Sequence, residues 1–242
     1  MLKRLAALAT PRLQTAHVSQ FVWLYAGLTA WSALQITGEL LVLPPKGRRV
    51  LCFGEALEVL VTLAVQMLKA WGADVTTTCS TDAIPLVQSL GVQSVLDYTQ
   101  PGVMEALGAG GKYDIILDAA GLPETEIPAY LTLLKEWRLA KYITLRSPML
   151  RNTDQLGLVG GMLRNAADLV LPNLTTGALL RGASLRWGYF APINAGVREI
   201  SRLAESGQLT PIIDKSMNIL ELPAAYEKVK NGHLRGKVVL TV

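Results

Sequence analysis

The sequence has 242 residues, of which half are hydrophobic and 17% are charged, and its formal net charge is +4. This composition predicts a folded chain with a substantial core and argues against extended disorder. No cluster of Lys and Arg is dense enough to form a nucleic-acid groove, so we expect no nucleic-acid partner. Cys52 and Cys79 each lie in an apolar run without a Cys-x-x-Cys or Cys/His cluster. They are predicted to be buried, reduced thiols, and no metal site is expected.

The N-terminal segment is basic and contains no acidic residue. Lys3, Arg4 and Arg12 lie among leucines and alanines, and the first acidic residue of the chain is Glu39. This pattern is typical of a mitochondrial presequence and predicts a mitochondrial localisation. An ordinary basic first helix and a poorly formed secretory signal are the alternatives. We therefore treat residues 1–17 as a presequence-like or disordered arm.

The segment that follows the arm is apolar but too interrupted to cross a membrane. Val18–Leu34 contains Gln20, Thr29 and Ser32, so we expect a docked helix and no membrane span. With the Pro-containing stretch that ends at Gly47, residues 18–47 are predicted to form a docking helix and linker. Residues 48–242 are then predicted to be one domain that ends in a returning strand.

Short apolar strands alternate with helices throughout that domain. The predicted strands are Arg49–Phe53, Asp74–Cys79, Val92–Tyr98, Tyr113–Asp118, Lys141–Leu145, Ser184–Phe190 and Lys237–Val242, with a short extended piece that begins at Pro211. The predicted helices are Ala56–Trp71, Asp82–Leu90, Pro101–Leu107, Glu124–Trp137, Asp154–Val170, Ala195–Ser206 and Leu222–Asn231. This alternation predicts an α/β fold, a Rossmann-type doubly wound parallel sheet with helices on both faces. Such a sheet binds ligands at the carboxyl ends of its strands.

The turn after the first strand lacks most of the glycines that a dinucleotide site uses. In a Rossmann domain these glycines let the pyrophosphate approach the N-terminus of the first helix. Here the turn reads Gly54-Glu55-Ala56-Leu57-Glu58, so only Gly54 remains and two carboxylates stand beside the anion seat. Either the loop binds a nucleotide more loosely, or the seat is lost and a carboxylate caps the helix in place of phosphate. We favour the second interpretation.

Several stretches resemble the medium-chain, zinc-independent quinone oxidoreductases. Leu24–Trp31 is similar to the helix that precedes their Rossmann domain, and Gln66–Ala73 to the end of their first Rossmann helix. Gly232–Val239 resembles their C-terminal signature. Met162–Arg164 and Leu185–Trp187 are most similar to the mitochondrial reticulon-4-interacting protein branch of the family.

The resemblance implies an activity, a cofactor and residues that contact it. The family reduces quinone-like or enone substrates by hydride transfer from NADPH, and the branch is associated with coenzyme Q metabolism. Matching positions imply vestigial or weak cofactor contacts by Gly54, Ser80, Thr81, Tyr98, Ala119, Gly121, Leu145, Phe190 and Lys237, and Arg235 would point the same way. Each also has an ordinary structural explanation: Ser80 and Thr81 as helix caps, Gly121 as a turn residue, and Lys237 as a solvated charge. Four tryptophans are expected to pack rather than to form stacking surfaces: Trp31, Trp71, Trp137 and Trp187.

The departures from the family are as informative as the matches. Family members begin with a barrel-like catalytic domain, whereas this chain begins almost at the Rossmann domain, so no catalytic residue is assigned and the edge of the last strand is expected to be unpaired. The leading hypothesis is a degenerate NADPH-dependent quinone oxidoreductase-like domain, a non-catalytic binding or assembly module in mitochondria for which NADPH is doubtful. The alternative is an active NAD(P)H-dependent oxidoreductase. Family members pair through the strand equivalent to Ser184–Phe190, which predicts a homodimer or a heteromeric protein partner at an edge strand.

Overall fold

The computed structural model describes residues 16–54, 59–232, 234 and 236–241, with side chains from Leu24 onward. Its strands are β1 (Arg49–Phe53), β2 (Asp74–Cys79), β3 (Ser94–Asp97), β4 (Ile115–Asp118), β5 (Ala140–Thr144), β6 (Ala183–Trp187), β7 (Ile213–Asn218) and β8 (Lys237–Thr241). The first six form one parallel sheet in the order β3-β2-β1-β4-β5-β6. The chain order reverses between β1 and β4, which is the switch point of a doubly wound sheet. The predicted Rossmann-type α/β fold is confirmed.

Helices lie between successive strands of the parallel sheet, as parallel pairing requires. They are α1 (Ala16–Ser32), α2 (Val59–Ala70), α3 (Ile84–Ser89), α4 (Val103–Ala109), α5 (Ile127–Leu131), α6 (Met149–Thr175), α7 (Asn194–Glu205) and α8 (Leu222–Lys230). Helix α1 continues through a π-helical turn, Ala33–Thr37. It packs on α2 and α7, where Gly27 lies against Ile200 and Met67.

Successive residues of the central strands face opposite sides of the sheet, as strand geometry requires. Val50 and Cys52 of β1 point into the core beneath α1, α2 and α7, whereas Leu51 and Phe53 point into the core beneath α4 and α5. All four side chains are buried. Because both faces are covered, the strand reads in the sequence as a continuous apolar run rather than as an alternating one.

The predicted helix Glu124–Trp137 is wrong over most of its length. Only Ile127–Leu131 is helical. Beyond it the chain pairs with Tyr113, whose N–H donates to the carbonyl of Leu133 and whose carbonyl accepts from Lys135. An extended pairing of this kind excludes a helix. Trp137 follows in a left-handed conformation (φ 56°) and is 75% exposed, so the expectation that it packs is also wrong.

The last strand, β8, is paired along one of its edges. β8 pairs in parallel with β7, and together they form a separate two-stranded sheet. The extended piece predicted to begin at Pro211 is therefore the start of a strand that runs to Asn218. β7 pairs with one edge of β8, and no other described strand pairs with its second edge, so the structure does not contradict the expected unpaired edge.

An ion triad, in which Lys141 is buried and Glu39 and Arg186 are partly exposed, joins the turn after α1 to the sheet. Glu39 contacts Lys141 of β5 (Oε2–Nζ 3.0 Å) and Arg186 of β6 (Oε1–Nη1 2.5 Å). The Lys141 side chain is 2% exposed and also donates to the carbonyl of Leu139. Burial lowers the pKa of Lys141 against the effect of its carboxylate partner. The triad thus fixes residues 38–42 against the two strands.

Candidate functional site

Gly54 ends β1 at the switch point of the sheet, and its environment explains why it is glycine. A Cβ on this residue would lie 2.6 Å from Cγ2 of Val61 in α2 and 3.4 Å from Cβ of Ala119. The first distance is shorter than any ordinary contact between side chains. The glycine therefore lets α2 pack closely on the end of β1, and its presence needs no ligand to explain it.

Asp118 organises the turn at the end of β4. It is fully buried, and it accepts hydrogen bonds from the N–H of Gly121 (2.7 Å), the N–H of Leu122 (3.1 Å) and the hydroxyl of Tyr142 (2.9 Å). Burial and the Asp118 charge raise the pKa of Tyr142 well above its usual range. The left-handed conformation of Gly121 (φ 67°) is part of this turn. Ala119 lies beside Gly54 at the switch point, and Gly121 follows it in the same turn.

Arg146 brings a positive charge to the same crevice. It follows β5, is exposed, and donates from Nη1 to the carbonyl of Gly121 (3.1 Å). Its aliphatic stem covers Gly121, where an added Cβ would lie 3.1 Å from Cβ of Arg146. Neither Arg146 nor Asp118 is among the site residues predicted from the sequence. A basic residue directly after a strand and an acidic residue at the end of a buried one were the available signals.

Polar side chains meet at the carboxyl ends of β2 and β3. The hydroxyl of Thr81 donates to Oδ2 of Asp97, and that of Thr99 donates to Oδ1 (2.6 Å). Ser80 occupies the N-cap position of the following 3₁₀ turn, but its hydroxyl donates to Oδ1 of Asp82 (2.5 Å) and makes no capping hydrogen bond to the backbone. The hydrogen bonds from Thr81 and Thr99 lower the pKa of Asp97 to about 2. This corner is therefore anionic at neutral pH.

Tyr98 lies at the same corner. Its N–H donates to the carbonyl of Cys79 (3.1 Å), and its side chain is exposed. The Cys79 side chain is buried, as predicted. Burial and the charges of Asp97 and Asp82 raise the pKa of its thiol to about 11.

The remaining predicted contacts lie further along the edge or away from it. Leu145 follows β5 and lines, with Trp187 and Tyr189, a groove of about 820 Å³ beside β6. Phe190 stacks on Tyr25 with ring centroids 4.9 Å apart. Lys237 instead begins β8 of the two-stranded sheet, where its N–H donates to the carbonyl of Ile212. No hydrogen bond or ion pair found among the described residues joins its side chain to the strand ends.

Several predictions concern residues outside the described part of the chain, namely the carboxylates of Glu55 and Glu58, Arg235 and the arm before Ala16. Within the described ranges, no group of three His, Cys, Asp or Glu side chains could hold a metal ion. Over the same ranges no helix has the length and apolarity to cross a membrane.

Comparison with known proteins identifies the family. The model of the zinc-binding dehydrogenase family matches residues 90–240. The chain belongs to this family. Among curated relatives, NAD(P)H oxidoreductase RTN4IP1, mitochondrial, is 42% identical in Danio rerio and 38% identical in Homo sapiens, each over 90% of this chain. These alignments cover 55% and 54% of the relatives, so the chain spans about half their length. The predicted resemblance to quinone oxidoreductases and to the reticulon-4-interacting branch is confirmed.

Solved structures of zinc-binding dehydrogenase relatives share the fold at low sequence identity. An alcohol dehydrogenase from Sinorhizobium meliloti superposes with a TM-score of 0.69 at 21% identity, over 90% of this chain and 53% of its own. The quinone oxidoreductase from Coxiella burnetii gives 0.66 at 19%, over 90% and 58%. The chain is thus an oxidoreductase-like domain of this family. Its predicted mitochondrial localisation agrees with the names of the curated relatives.

Proposed function

We propose that this chain is an oxidoreductase-like domain that does not hold NADPH through a diphosphate seat and serves as a non-catalytic binding or assembly module in mitochondria. The observation that carries the proposal is the turn after β1. Of the residues Gly54–Glu58, only Gly54 has no side chain, and the space beside it is taken by Val61. The one surviving glycine is therefore accounted for by packing, and no glycine is left for phosphate.

Charge at this turn supports the same conclusion. The N-terminus of a helix attracts anions through its free N–H groups and its dipole. Glu55 and Glu58 stand in the segment that leads into α2, so a diphosphate would be placed beside two carboxylates. Among the residues that the structure describes, Arg146 brings a cation to the crevice, and it is already hydrogen-bonded to the carbonyl of Gly121. The residues present thus do not fit a dinucleotide diphosphate, and no hydride-transfer step is derived for this chain.

The second candidate is an active NAD(P)H-dependent oxidoreductase of quinone or enone substrates linked to coenzyme Q metabolism. Ala119 and Gly121, which follow β4, favour it because residues this small add little bulk at the strand ends where a cofactor would bind. The curated relatives carry the name NAD(P)H oxidoreductase. This candidate requires that the loop before α2 binds the cofactor in another way.

Calorimetric titration of the purified chain with NADPH separates the two candidates. We expect no heat of binding up to about 1 mM, since each carboxylate near the diphosphate opposes binding. A variant with Glu55→Gly, Leu57→Gly and Glu58→Gly is expected to gain affinity at least tenfold. The matched control, Glu55→Gln with Glu58→Gln, removes the charges but restores no glycine. Micromolar binding by the unaltered chain would refute the proposal.

A further inference from the structure

The groove beside β6 has apolar walls and one polar end. Its volume of about 820 Å³ lies within the usual range of small-molecule sites. The walls come from β6, from α6 and from the segments that follow β5 and α6, and their apolar side chains include Leu145, Leu150, Leu169, Val170, Leu179 and Trp187. A ligand that fills this groove must therefore be mainly hydrocarbon.

The polar end is formed by three residues from two segments of the chain. Thr37 ends the π-helical turn after α1, and Ser184 and Arg186 lie in β6; all three line the groove. Arg186 joins the segments, since its Nε donates to the hydroxyl of Ser184 (3.1 Å) and its Nη1 donates to the carbonyl of Thr37 (3.4 Å). The groove therefore has one end at which a polar head group would bind.

Two hydrogen-bond donors at this end have no partner among the described residues. Thr37 is 7% exposed, and its hydroxyl is buried without a hydrogen bond. The hydrogen bonds of Arg186 occupy Nε and Nη1 and leave Nη2 available. Because native proteins pair nearly all of their buried polar groups, the Thr37 hydroxyl points to a ligand that supplies an acceptor here.

The charge at the same end favours an anionic ligand. Glu39 contacts two cations, Lys141 and Arg186, and it balances one of them. The triad therefore retains one positive charge. A monocarboxylate carries one negative charge and only acceptor oxygens, so it matches both this charge and the free donors of Thr37 and Arg186.

We infer that the groove beside β6 binds an amphiphilic monocarboxylate, a hydrocarbon chain with one carboxylate, whose head contacts Thr37 and Arg186 and whose chain lies against α6. The inference names a ligand for the proposed binding module and rests on that proposal only for its role in the cell. The site is separate from the diphosphate seat, because three strand spacings of about 4.8 Å lie between β6 and β1. Ser184 is also near the start of β6, whereas a dinucleotide would lie at the carboxyl ends of the strands.

Calorimetric titration of the intact chain with decanoate and with decan-1-ol tests the polar end. The alcohol has the same chain without the charge, so we expect decanoate to bind at least about tenfold more tightly. Thr37→Val keeps the shape of the side chain and removes a hydroxyl that has no partner in the free chain, so it should not lower the thermal stability. It should weaken decanoate binding by about tenfold. Thr132→Val, at the exposed end of α5, is the matched control and should leave the affinity unchanged.

The outcome is separable from that of the proposed function. Micromolar NADPH binding would refute the proposed function and leave the groove as inferred, whereas a failure of decanoate to bind would leave the NADPH result standing. No decanoate binding up to about 1 mM, equal binding of decan-1-ol, or an unchanged affinity in Thr37→Val would overturn the inference. Self-association of the intact chain that decanoate reverses would show that a second copy covers the groove, and would overturn it as well.

Discussion

Gly54 illustrates how one residue type can be retained for a different reason from the one that its motif suggests. In the sequence it reads as the remnant of a phosphate-binding fingerprint. In the structure Gly54, at the end of β1, lies between Val61 of α2 and Ala119 after β4, both of which approach it closely. The sequence predicts its position correctly, but the neighbours that require it come from two other segments and carry no local signal.

Replacing Gly54 with alanine tests that reason. The added methyl would meet Cγ2 of Val61 at 2.6 Å, and a β-branched side chain in a helix has little freedom to turn away. We expect Gly54→Ala to lower the free energy of unfolding in urea by about 1–3 kcal/mol. Gly108→Ala, in α4, is the control and should be neutral or slightly stabilising, because the added Cβ would lie 3.8 Å from Cδ2 of Leu133, an ordinary contact. Equal stability of the two variants would show that packing does not explain Gly54.

Asp118 is a second residue whose role depends on neighbours from other segments of the chain. The sequence indicates only that an acidic residue ends the fourth strand. Its role as an acceptor for Gly121, Leu122 and Tyr142 depends on β5 lying beside β4, because Tyr142 comes from that neighbouring strand. Local pattern therefore identifies candidate positions at strand ends, whereas the partners that decide their roles are set by strand order.

At the level of elements, the sequence predicts a helix or strand correctly where apolar neighbours cover one or both of its faces. The central strands and α2 are covered by apolar neighbours, and their sequences show it. Helix α6 is the opposite case: its buried positions include Asn152, Asn165 and Asn173, while Leu158 and Leu163 are about 70% exposed. The sequence predicts a helix here, but the residues that it buries are polar or small rather than apolar. Its interior contacts are hydrogen bonds, such as Asn152 Nδ2 to Asn165 Oδ1 at 2.7 Å.

The triad of Glu39, Lys141 and Arg186 joins elements that the sequence does not connect. Removing the acid would leave the Lys141 ammonium, 2% exposed, without its carboxylate. We expect Glu39→Gln to lower the free energy of unfolding by about 3 kcal/mol, whereas Lys141→Met, which removes the buried charge itself, should cost less. Lys230→Met is the control, since its pair with Glu227 is exposed and 4.0 Å long, and should change stability by less than about 0.5 kcal/mol.

Urea unfolding of the three variants at neutral pH measures these differences. The order is the informative quantity, because it separates an unpaired buried charge from a lost contact. A larger loss for Lys141→Met than for Glu39→Gln would mean that the pair is a net source of stability. The turn at residues 38–42 would then be held by attraction between the charges rather than by the need to neutralise Lys141.

For the whole molecule, the sequence was sufficient to predict a doubly wound parallel sheet from the alternation of elements and the right-handed crossover rule, although not its strand order. It was not sufficient for the edges of the sheet. β6 is one edge strand of the described sheet, and the family resemblance predicts that it pairs with a partner. The structure places the side chain of Asn173 there: Oδ1 accepts from the N–H of Leu185 (2.7 Å), and Nδ2 donates to its carbonyl (2.9 Å). The Asn173 amide therefore hydrogen-bonds both the N–H and the C=O of Leu185, the backbone groups that face outward in the middle of the β6 edge.

Asn173 is expected to keep this edge from pairing with a second copy. An exposed strand edge is a template for association, and proteins protect such edges by covering their free backbone groups. Light scattering should therefore find the intact chain monomeric, and Asn173→Leu, which leaves the N–H and C=O of Leu185 unpaired, should self-associate at micromolar concentration. Thr175→Leu adds an apolar side chain to the same helix without freeing the edge and should remain monomeric. If the intact chain forms a stable dimer that Asn173→Leu does not strengthen, the protection lies elsewhere, and the strand pairing implied by the family applies to this chain as well.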